Sequence, residues 1–209
     1  MTRGKTFIVS GPSGVGKSTV LKALMEKRKN LYFSISATTR EARPGEIDGV
    51  HYHFISVDDF RDWISRDEFL EYAEYVGNFY GTSMAVIREK LDQGVDVILE
   101  IEIQGAHKVR AQYPDAVLLF VMPPSAKELY NRLTGRATET EEVIRQRMLR
   151  AVEESEGIDT YDYIVVNDKL EDCIAQINTI VNAARHTPSQ NIEFIGEIRK
   201  ELKEFLGSR

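Results

Sequence analysis

Of the residues that staple or anchor a chain, this sequence has almost none. Its single cysteine, Cys173, cannot form an intrachain disulfide, so a disulfide scaffold is excluded. No run of roughly 18 apolar residues is available to span a bilayer. The opening Met1-Thr2-Arg3-Gly4-Lys5 leads into a short apolar run rather than a signal-peptide core. A cytoplasmic protein without a membrane partner is the expectation. Positive charge is in the minority: 27 lysines and arginines stand against 33 aspartates and glutamates, a net charge of −6, which argues against a nucleic-acid partner. Tandem repeats, low-complexity tracts and flexible linkers are absent, and so is a collagen-like composition. What is present is ordinary for a globular chain. With 42% hydrophobic and 29% charged side chains over 209 residues, it can bury one substantial core carrying smaller insertions.

Apolar runs and helical periodicities alternate along much of the chain. Thr6 to Ser10 reads as a buried strand, and Val20, Leu21, Leu24 and Met25 mark a helix over Lys17 to Lys29. After residue 94 come a strand Val95 to Ile101, a helix Gly105 to Gln112, a strand Ala116 to Met122 and helices Ala126 to Leu133 and Glu141 to Glu156. A strand Tyr163 to Val166 and a helix Leu170 to Ala184 follow. This order predicts an α/β fold, a three-layer arrangement with a mostly parallel sheet covered on both faces. Residues 37–82 break the rhythm with turn-forming Pro44-Gly45 and Asp48-Gly49, short aromatic strands at His51 to Ile55 and Phe69 to Val76, and a helix near Asp58 to Ile64. They read as an inserted α+β subdomain. A polar stretch, Thr134 to Thr140, lies between helices where Ser125 to Glu128 and Thr138 to Glu141 offer capping boxes, and it suggests a small lid. The expected division is a single domain with core 1–36, 83–133 and 157–184, insertion 37–82, lid 134–156 and a C-terminal helix within 185–209.

Chemistry is written most clearly between the first strand and the first helix. Gly11-Pro12-Ser13-Gly14-Val15-Gly16-Lys17-Ser18 fits G-x-x-x-x-G-K-[ST] in the strand-loop-helix context that the pattern needs. The glycines permit a tight concave backbone whose amides face a polyphosphate. Lys17 adds a point charge near the β/γ-phosphates, and the Ser18 hydroxyl can ligate Mg²⁺. A nucleotide binder follows, with its acceptor still unnamed. In the inserted segment, Arg40 and Arg43 stand three apart beside Ser36, Thr38 and Thr39, a composition suited to gripping a second phosphate through forked guanidinium donors, or to a solvated basic turn.

Several spaced motifs then carry a resemblance. Thr38-Thr39-Arg40, Arg43-Pro44-Gly45-Glu46, Asp48-Gly49 with Tyr52, Gly77-Asn78-Phe79-Tyr80-Gly81-Thr82 and Gln104-Gly105 together resemble the guanylate kinase family, from about Lys5 to Ala184. The resemblance implies transfer of the ATP γ-phosphate to GMP, and to dGMP, giving ADP and GDP or dGDP with Mg²⁺. It makes Arg40, Arg43, Tyr52 and Tyr80 ligands of the GMP phosphate, and it sets Ser36, Glu71 and Thr82 around guanine. Physical chemistry agrees. Two arginines neutralise a phosphate monoester while tyrosine hydroxyls add directional donors. A carboxylate at Glu71 accepts from the ring N–H and exocyclic amino group of guanine, whereas the same edge of adenine offers a ring acceptor.

The resemblance also sets Glu100, at the end of the strand Val95 to Ile101, near the acceptor nucleotide, and leaves the role of Glu102 open. Arg132, Arg136 and Arg147 bracket the polar stretch as lid arginines over the ATP phosphates, with Thr19 after the loop. Asn167 lies beside adenine, or else caps the helix that follows it. Lys17, Arg40, Arg136 and Arg147 form the implied catalytic set. Two other readings have a counter-signal in the sequence. A sugar-phosphate kinase has no use for Glu71 with Thr82, and a phosphopeptide-binding module of the same ancestry has no use for Gly16, Lys17 and Ser18 together.

Three features point away from chemistry. Cys173 shares a helical face with Ile177 and Ile180, as a core residue would. His51 and His53 alternate about Tyr52 without metal-ligand spacing. From Asn191 to Leu206, Ile195, Ile198, Leu202, Phe205 and Leu206 form an amphipathic stripe after a hinge at His186 to Gln190. Such a stripe needs cover, from its own core or from a second copy of the chain in a homodimer.

Overall fold

The computed structural model describes residues 3–75, 77–135 and 140–207. In chain order the regular elements are β1 (Thr6–Ser10), α1 (Lys17–Lys27), β2 (Leu31–Phe33), β3 (Ala37–Thr38), β4 (His53–Phe54), α2 (Val57–Ser65), β5 (Phe69–Tyr75) and β6 (Asn78–Ser83). They continue as α3 (Met84–Asp92), β7 (Asp96–Glu100), α4 (Ile103–Gln112), β8 (Val117–Met122), α5 (Ala126–Thr134), α6 (Glu141–Ser155), β9 (Tyr163–Val166), α7 (Leu170–Ala184) and α8 (Ile192–Gly207).

A parallel sheet in the order β2-β7-β1-β8-β9 forms the centre. Because side chains alternate across a strand, Phe7 and Val9 enter one face and Ile8 the other, and all three are fully buried. On the first face they meet Leu21 and Leu24 of α1 and Cys173, Ile177 and Val181 of α7. On the second, Ile8, Val97 and Leu99 meet Ile87 and Leu91 of α3 and Ala106 and Val109 of α4. The result is the three-layer α/β arrangement expected of apolar strands alternating with helices. The carboxyl ends of β1 and β7 lie side by side, Val9 opposite Glu100, so the phosphate loop leaving β1 and the acidic end of β7 share one edge.

The second sheet, in the order β4-β3-β6-β5, carries the insertion. Its core is aromatic: Phe60 of α2 stacks on Phe69 at 4.4 Å and on Phe79 at 5.4 Å between ring centroids. Gly81 of β6 lies beneath these rings, where a Cβ would stand 2.7 Å from Phe69 and 2.9 Å from Phe60.

Several expected elements change extent. The strand read at His51 to Ile55 contracts to β4, because the Asp48-Gly49 turn claims its neighbours: Gly49 N donates to Tyr52 O at 2.8 Å and Phe54 N to Asp48 Oδ1 at 2.8 Å. β2, β3, β6 and α3 are additional to the expected elements, and β2 and β3, only three and two residues long, have no periodicity to reveal them. The cap of α5 is Ser125, whose side chain accepts from Glu128 N. That of α6 is Thr140, accepting from Val143 N, two positions beyond the expected Thr138, which lies outside the described residues.

The C-terminal stripe is not covered by its own core. α8 has no buried residue, Leu206 is 73% exposed, and Phe194, Leu202 and Phe205 are exposed as well. Both faces of the parallel sheet are already covered, one by α1 and α7 and the other by α3 and α4. α8 instead starts from the turn Pro188–Asn191, which Asn191 Nδ2 pins by donating to Arg185 O and Thr187 O, both at 2.9 Å. Among the described residues no helix is long and apolar enough to cross a membrane.

Candidate active site

The loop between β1 and α1 is shaped by backbone that only glycine adopts without strain. Gly11 has φ 147° and Gly16 φ 96°; a Cβ on Gly11 would stand 2.3 Å from Val121 O, and one on Gly16 2.7 Å from Asn167 Nδ2. The loop's far side is anchored through the carbonyl of the buried Val15, which accepts from Asn167 Nδ2 at 2.8 Å and Arg132 Nη1 at 3.1 Å. This use of Asn167 overturns the helix-capping alternative: α7 is preceded by Lys169 and receives no side-chain cap. Lys17 folds back so that its ammonium donates to Gly11 O at 2.6 Å and Pro12 O at 3.3 Å. Ser18 and Thr19 open α1, and Ser18 Oγ donates to both oxygens of Glu100, each at 3.1 Å. Burial pushes the Glu100 carboxyl above its ordinary range, while Lys17 and the Ser18 hydroxyl pull against it.

Across the cleft, Arg40 is held from several sides. Its Nη2 donates to both oxygens of Glu46 at 2.9 Å, and its Nη1 to Glu41 O at 2.6 Å. The guanidinium lies 5.5 Å from the centroid of Tyr52 and 5.7 Å from that of Phe54. Tyr80 hydrogen-bonds to it and meets Tyr52 edge-on, ring centroids 6.0 Å apart. Burial alone would lower the Arg40 pKa, but pairing with Glu46 raises it on balance. Burial likewise opposes ionisation of Glu46, yet hydrogen bonds from Arg43 N and Arg40 hold its carboxyl below the usual range. Arg43 is exposed, with its backbone N donating to Glu46 Oε2 at 2.7 Å. Tyr52 is pushed up to about 12 by burial first and by the charge of Glu100 second. The tyrosine cluster of the insertion and the end of β7 therefore lie within electrostatic reach of each other.

Glu71 and Thr82 face each other across β5 and β6. Thr82 Oγ1 donates to Glu71 Oε1 at 2.6 Å, and Glu71 is only 7% exposed, which excludes the solvent-facing strand carboxylate. Its other oxygen rests over Gly105, where a Cβ would come within 2.7 Å. Burial raises the Glu71 carboxyl; Thr82 and Lys108 oppose the rise without cancelling it. Ser36 is half-buried on the chain entering β3, its carbonyl accepting from His53 N at 2.9 Å.

On the lid side, Arg147 Nη1 of α6 reaches Ser13 Oγ in the loop at 3.2 Å, and Arg132 pairs with Glu128 at 2.9 Å. Arg136 lies outside the described residues. Loop, β7 end, Arg147 and Arg132 thus converge on one edge, with Arg40, Tyr52 and Tyr80 facing them.

Sequence reasoning missed two participants. Glu46, six residues from Arg40 within Arg43-Pro44-Gly45-Glu46, is the clamp that orients the arginine, and the basic charges preceding it were the available signal. Glu154 of α6 hydrogen-bonds to Glu102 beyond the end of β7. Burial first and then the charge of Glu102 push the Glu154 carboxyl up to about 8. Nothing in the sequence spacing announces that pairing. Cys173 is fully buried, as expected for a core residue. Among the described residues no group of histidine, cysteine and acidic side chains is arranged to hold a metal by itself.

The comparisons with known proteins converge. The family model for guanylate kinase matches residues 3–184. The chain is 52% identical over 181 residues to a guanylate kinase of Halalkalibacterium halodurans, covering 87% of this chain and 89% of that one. It is 44% identical over 201 residues to one of a Shewanella species, covering 96% and 97%. The crystal structure of guanylate kinase from Anaplasma phagocytophilum matches with a TM-score of 0.77 at 33% identity, over 90% of each chain.

Proposed function

The chain belongs to the guanylate kinase family of nucleoside monophosphate kinases, and on that premise we propose that it transfers the γ-phosphate of ATP to GMP and dGMP, with Mg²⁺. The observation that carries the choice of acceptor is the buried Glu71–Thr82 pair, on the same sheet as Arg40, Tyr52 and Tyr80. Guanine offers a donor edge, N–H and exocyclic amino group, for Glu71 and an oxygen for Thr82 and Ser36, while Arg40, Arg43, Tyr52 and Tyr80 take the phosphate. Adenine would turn a ring acceptor toward Glu71 and leave a buried carboxylate unpaired, a loss of about 1–3 kcal/mol or more.

The donor fills the loop Gly11–Gly16. Lys17 exchanges its carbonyl partners for β/γ-phosphate oxygens, and Thr19, Arg132, Arg136 and Asn167 line the rest of the ATP site. The Ser18 hydroxyl beside Glu100 suits a cation that keeps most of its water and phosphate ligands, as Mg²⁺ does. When bound, Mg²⁺ supplies charge neutralisation on the phosphates. The acceptor phosphate needs no base, because its oxygen is already ionised. That oxygen attacks the γ-phosphorus in line, the bond to the β–γ bridging oxygen breaks, and ADP leaves. Arg40, Arg136, Arg147 and Lys17 hold the two anions together and disperse charge. The lid 134–156 and the acceptor insertion 37–82 close over them to exclude water, which would otherwise act as acceptor.

ADP release tested with GMP, dGMP, AMP, UMP and ribose bisphosphate checks the reading: GMP and dGMP support turnover, the others support little, and turnover with AMP or ribose bisphosphate equal to that with GMP refutes it. A phosphopeptide-binding module would release no ADP at all. A cytoplasmic location without nucleic-acid or membrane partners fits the negative charge balance. For the exposed face of α8 the reading is a homodimer. A second copy laid on the stripe covers the exposed Phe194, Leu202, Phe205 and Leu206.

A further inference from the structure

The second sheet ends on β5, so the carbonyls of β5 that point away from β6 have no strand to receive them. One face of α4 takes two of them. Gln112 Nε2 donates to Leu70 O at 3.0 Å and Lys108 Nζ to Tyr72 O at 3.1 Å, and the residue between those two carbonyls is Glu71. Gly105 completes the face, one helical turn before Lys108 and two before Gln112, and its missing Cβ leaves room for Glu71 Oε2. The Tyr72 ring holds the Lys108 side chain as well, with Nζ 5.4 Å from the ring centroid. α4 thus fixes one ammonium at the strand position next to the buried carboxylate.

Glu71 is 7% exposed, and the Thr82 hydroxyl that donates to it at 2.6 Å is neutral, as are the two donors of a guanine edge. A carboxylate withdrawn from water among neutral donors alone is costly. Burial is the largest influence on it and holds the carboxyl above its ordinary range. Of the charged groups that face it, Lys108 of α4 favours ionisation and Glu102, just before α4, opposes it. On the reading of Glu71 as the residue that accepts from guanine, we propose that Lys108 is a positioning residue for acceptor recognition: anchored on Tyr72 O, its ammonium is the counter-charge of the Glu71 carboxylate while the base is bound. A protonated carboxyl would turn one of its oxygens into a donor and lose one of the two guanine contacts. Lys108 therefore extends toward acid the pH range over which GMP is recognised. Because Lys108 is itself exposed, its influence is screened and shows as a displaced pH profile rather than as lost activity.

The test is the ratio of kcat/KM for GMP in Lys108→Met to that in wild type, followed from alkaline to mildly acid pH. Titration of the GMP phosphate itself cancels in this ratio. Removing the cation raises the Glu71 carboxyl further, so the ratio stays near one at alkaline pH and falls about threefold on the acid side. The KM for ATP is unchanged, and Lys108→Arg, which keeps the charge and the reach, restores the wild-type profile. In a Glu71→Gln background no carboxyl is left to titrate, and adding Lys108→Met gives a ratio independent of pH. With Glu71 present, a ratio that is the same at every pH is the mark of a brace for β5 without an electrostatic role and overturns the proposal, as does a failure of Lys108→Arg to restore the profile. The reading of Glu71 fails separately: wild type that uses AMP as well as GMP refutes it whatever Lys108 does, whereas a strong preference for GMP together with a flat ratio refutes the assignment of Lys108 alone.

Discussion

The two ends of the cleft hold their charges by different means. At the phosphate loop the geometry belongs to the backbone: Gly11 and Gly16 occupy conformations closed to other residues, and Lys17 rests on loop carbonyls that it exchanges for phosphate oxygens at little cost. In the second sheet, side chains orient one another: Glu46 clamps Arg40, and Thr82 satisfies Glu71. The first end is organised by the backbone of one loop, held from behind by Asn167 and Arg132, and the second by side-chain contacts across strands and turns. Damage to the two ends should therefore register differently, as lost turnover at the loop and as lost acceptor recognition at the sheet.

The largest effect is expected at the loop. Lys17→Ala lowers turnover at saturating ATP and GMP by about 10² or more, because the lost charge acts on the transferring phosphoryl group. Circular dichroism stays close to wild type, since the Lys17 ammonium hydrogen-bonds to loop carbonyls and packs in no core. Half of wild-type turnover would break the comparison. Next is Glu71→Gln, which lowers kcat/KM for GMP by about 10², or 2.7 kcal/mol, and leaves the KM for ATP nearly unchanged. An equal rise in the ATP KM would show that the sheet is not a separate recognition end.

Smaller in scale is Glu46→Gln, which raises the GMP KM about tenfold as Arg40 loses its bidentate partner, with turnover at saturation less affected. The pH dependence has a definite sign. Because the folded Glu46 carboxyl titrates below its ordinary 4.5, the stability it contributes is present above that value and lost as pH falls through the depressed one. The wild-type GMP KM is thus insensitive to this group at neutral pH and rises on acidification, which steady-state kinetics between neutral and acid pH would reveal. Deleting residues after His186 should touch neither end: kcat and both KM values stay near wild type, while light scattering reports half the wild-type mass if α8 pairs with a second copy. An unchanged mass removes the homodimer reading.

How much of this could be read without coordinates follows the same division. β1, the glycine loop and α1 were legible because strand, turn and helix signals adjoin within a few residues, and β9 and α7 have the bounds their periodicity predicts. The insertion was legible as an α+β subdomain, with α2 and β5 close to their expected bounds, but the order of its sheet was not. β3 is two residues long and exists because β4 and β6 flank it, and a two-residue strand has no periodicity to recognise. The burial of Glu71 depends on Thr82, eleven residues away, and on the close approach of Gly105, neither of which composition encodes. Asn167 was ambiguous for a similar reason: a polar residue after a strand suits a helix cap until the Val15 carbonyl comes within reach. The exposed stripe of α8 could be read as a stripe, whereas its exposure shows only in the fold, where other helices already cover both sheet faces.

The central claim is that Glu71 and Thr82 read the donor edge and the oxygen of guanine, and acceptor selectivity in the wild-type enzyme tests it most directly. IMP keeps the oxygen and the ring N–H but lacks the amino group, and AMP inverts the edge. Measured by ADP release under identical conditions, kcat/KM should fall from GMP to IMP by about tenfold or more and from IMP to AMP further still. Comparable values for GMP and AMP would contradict the account.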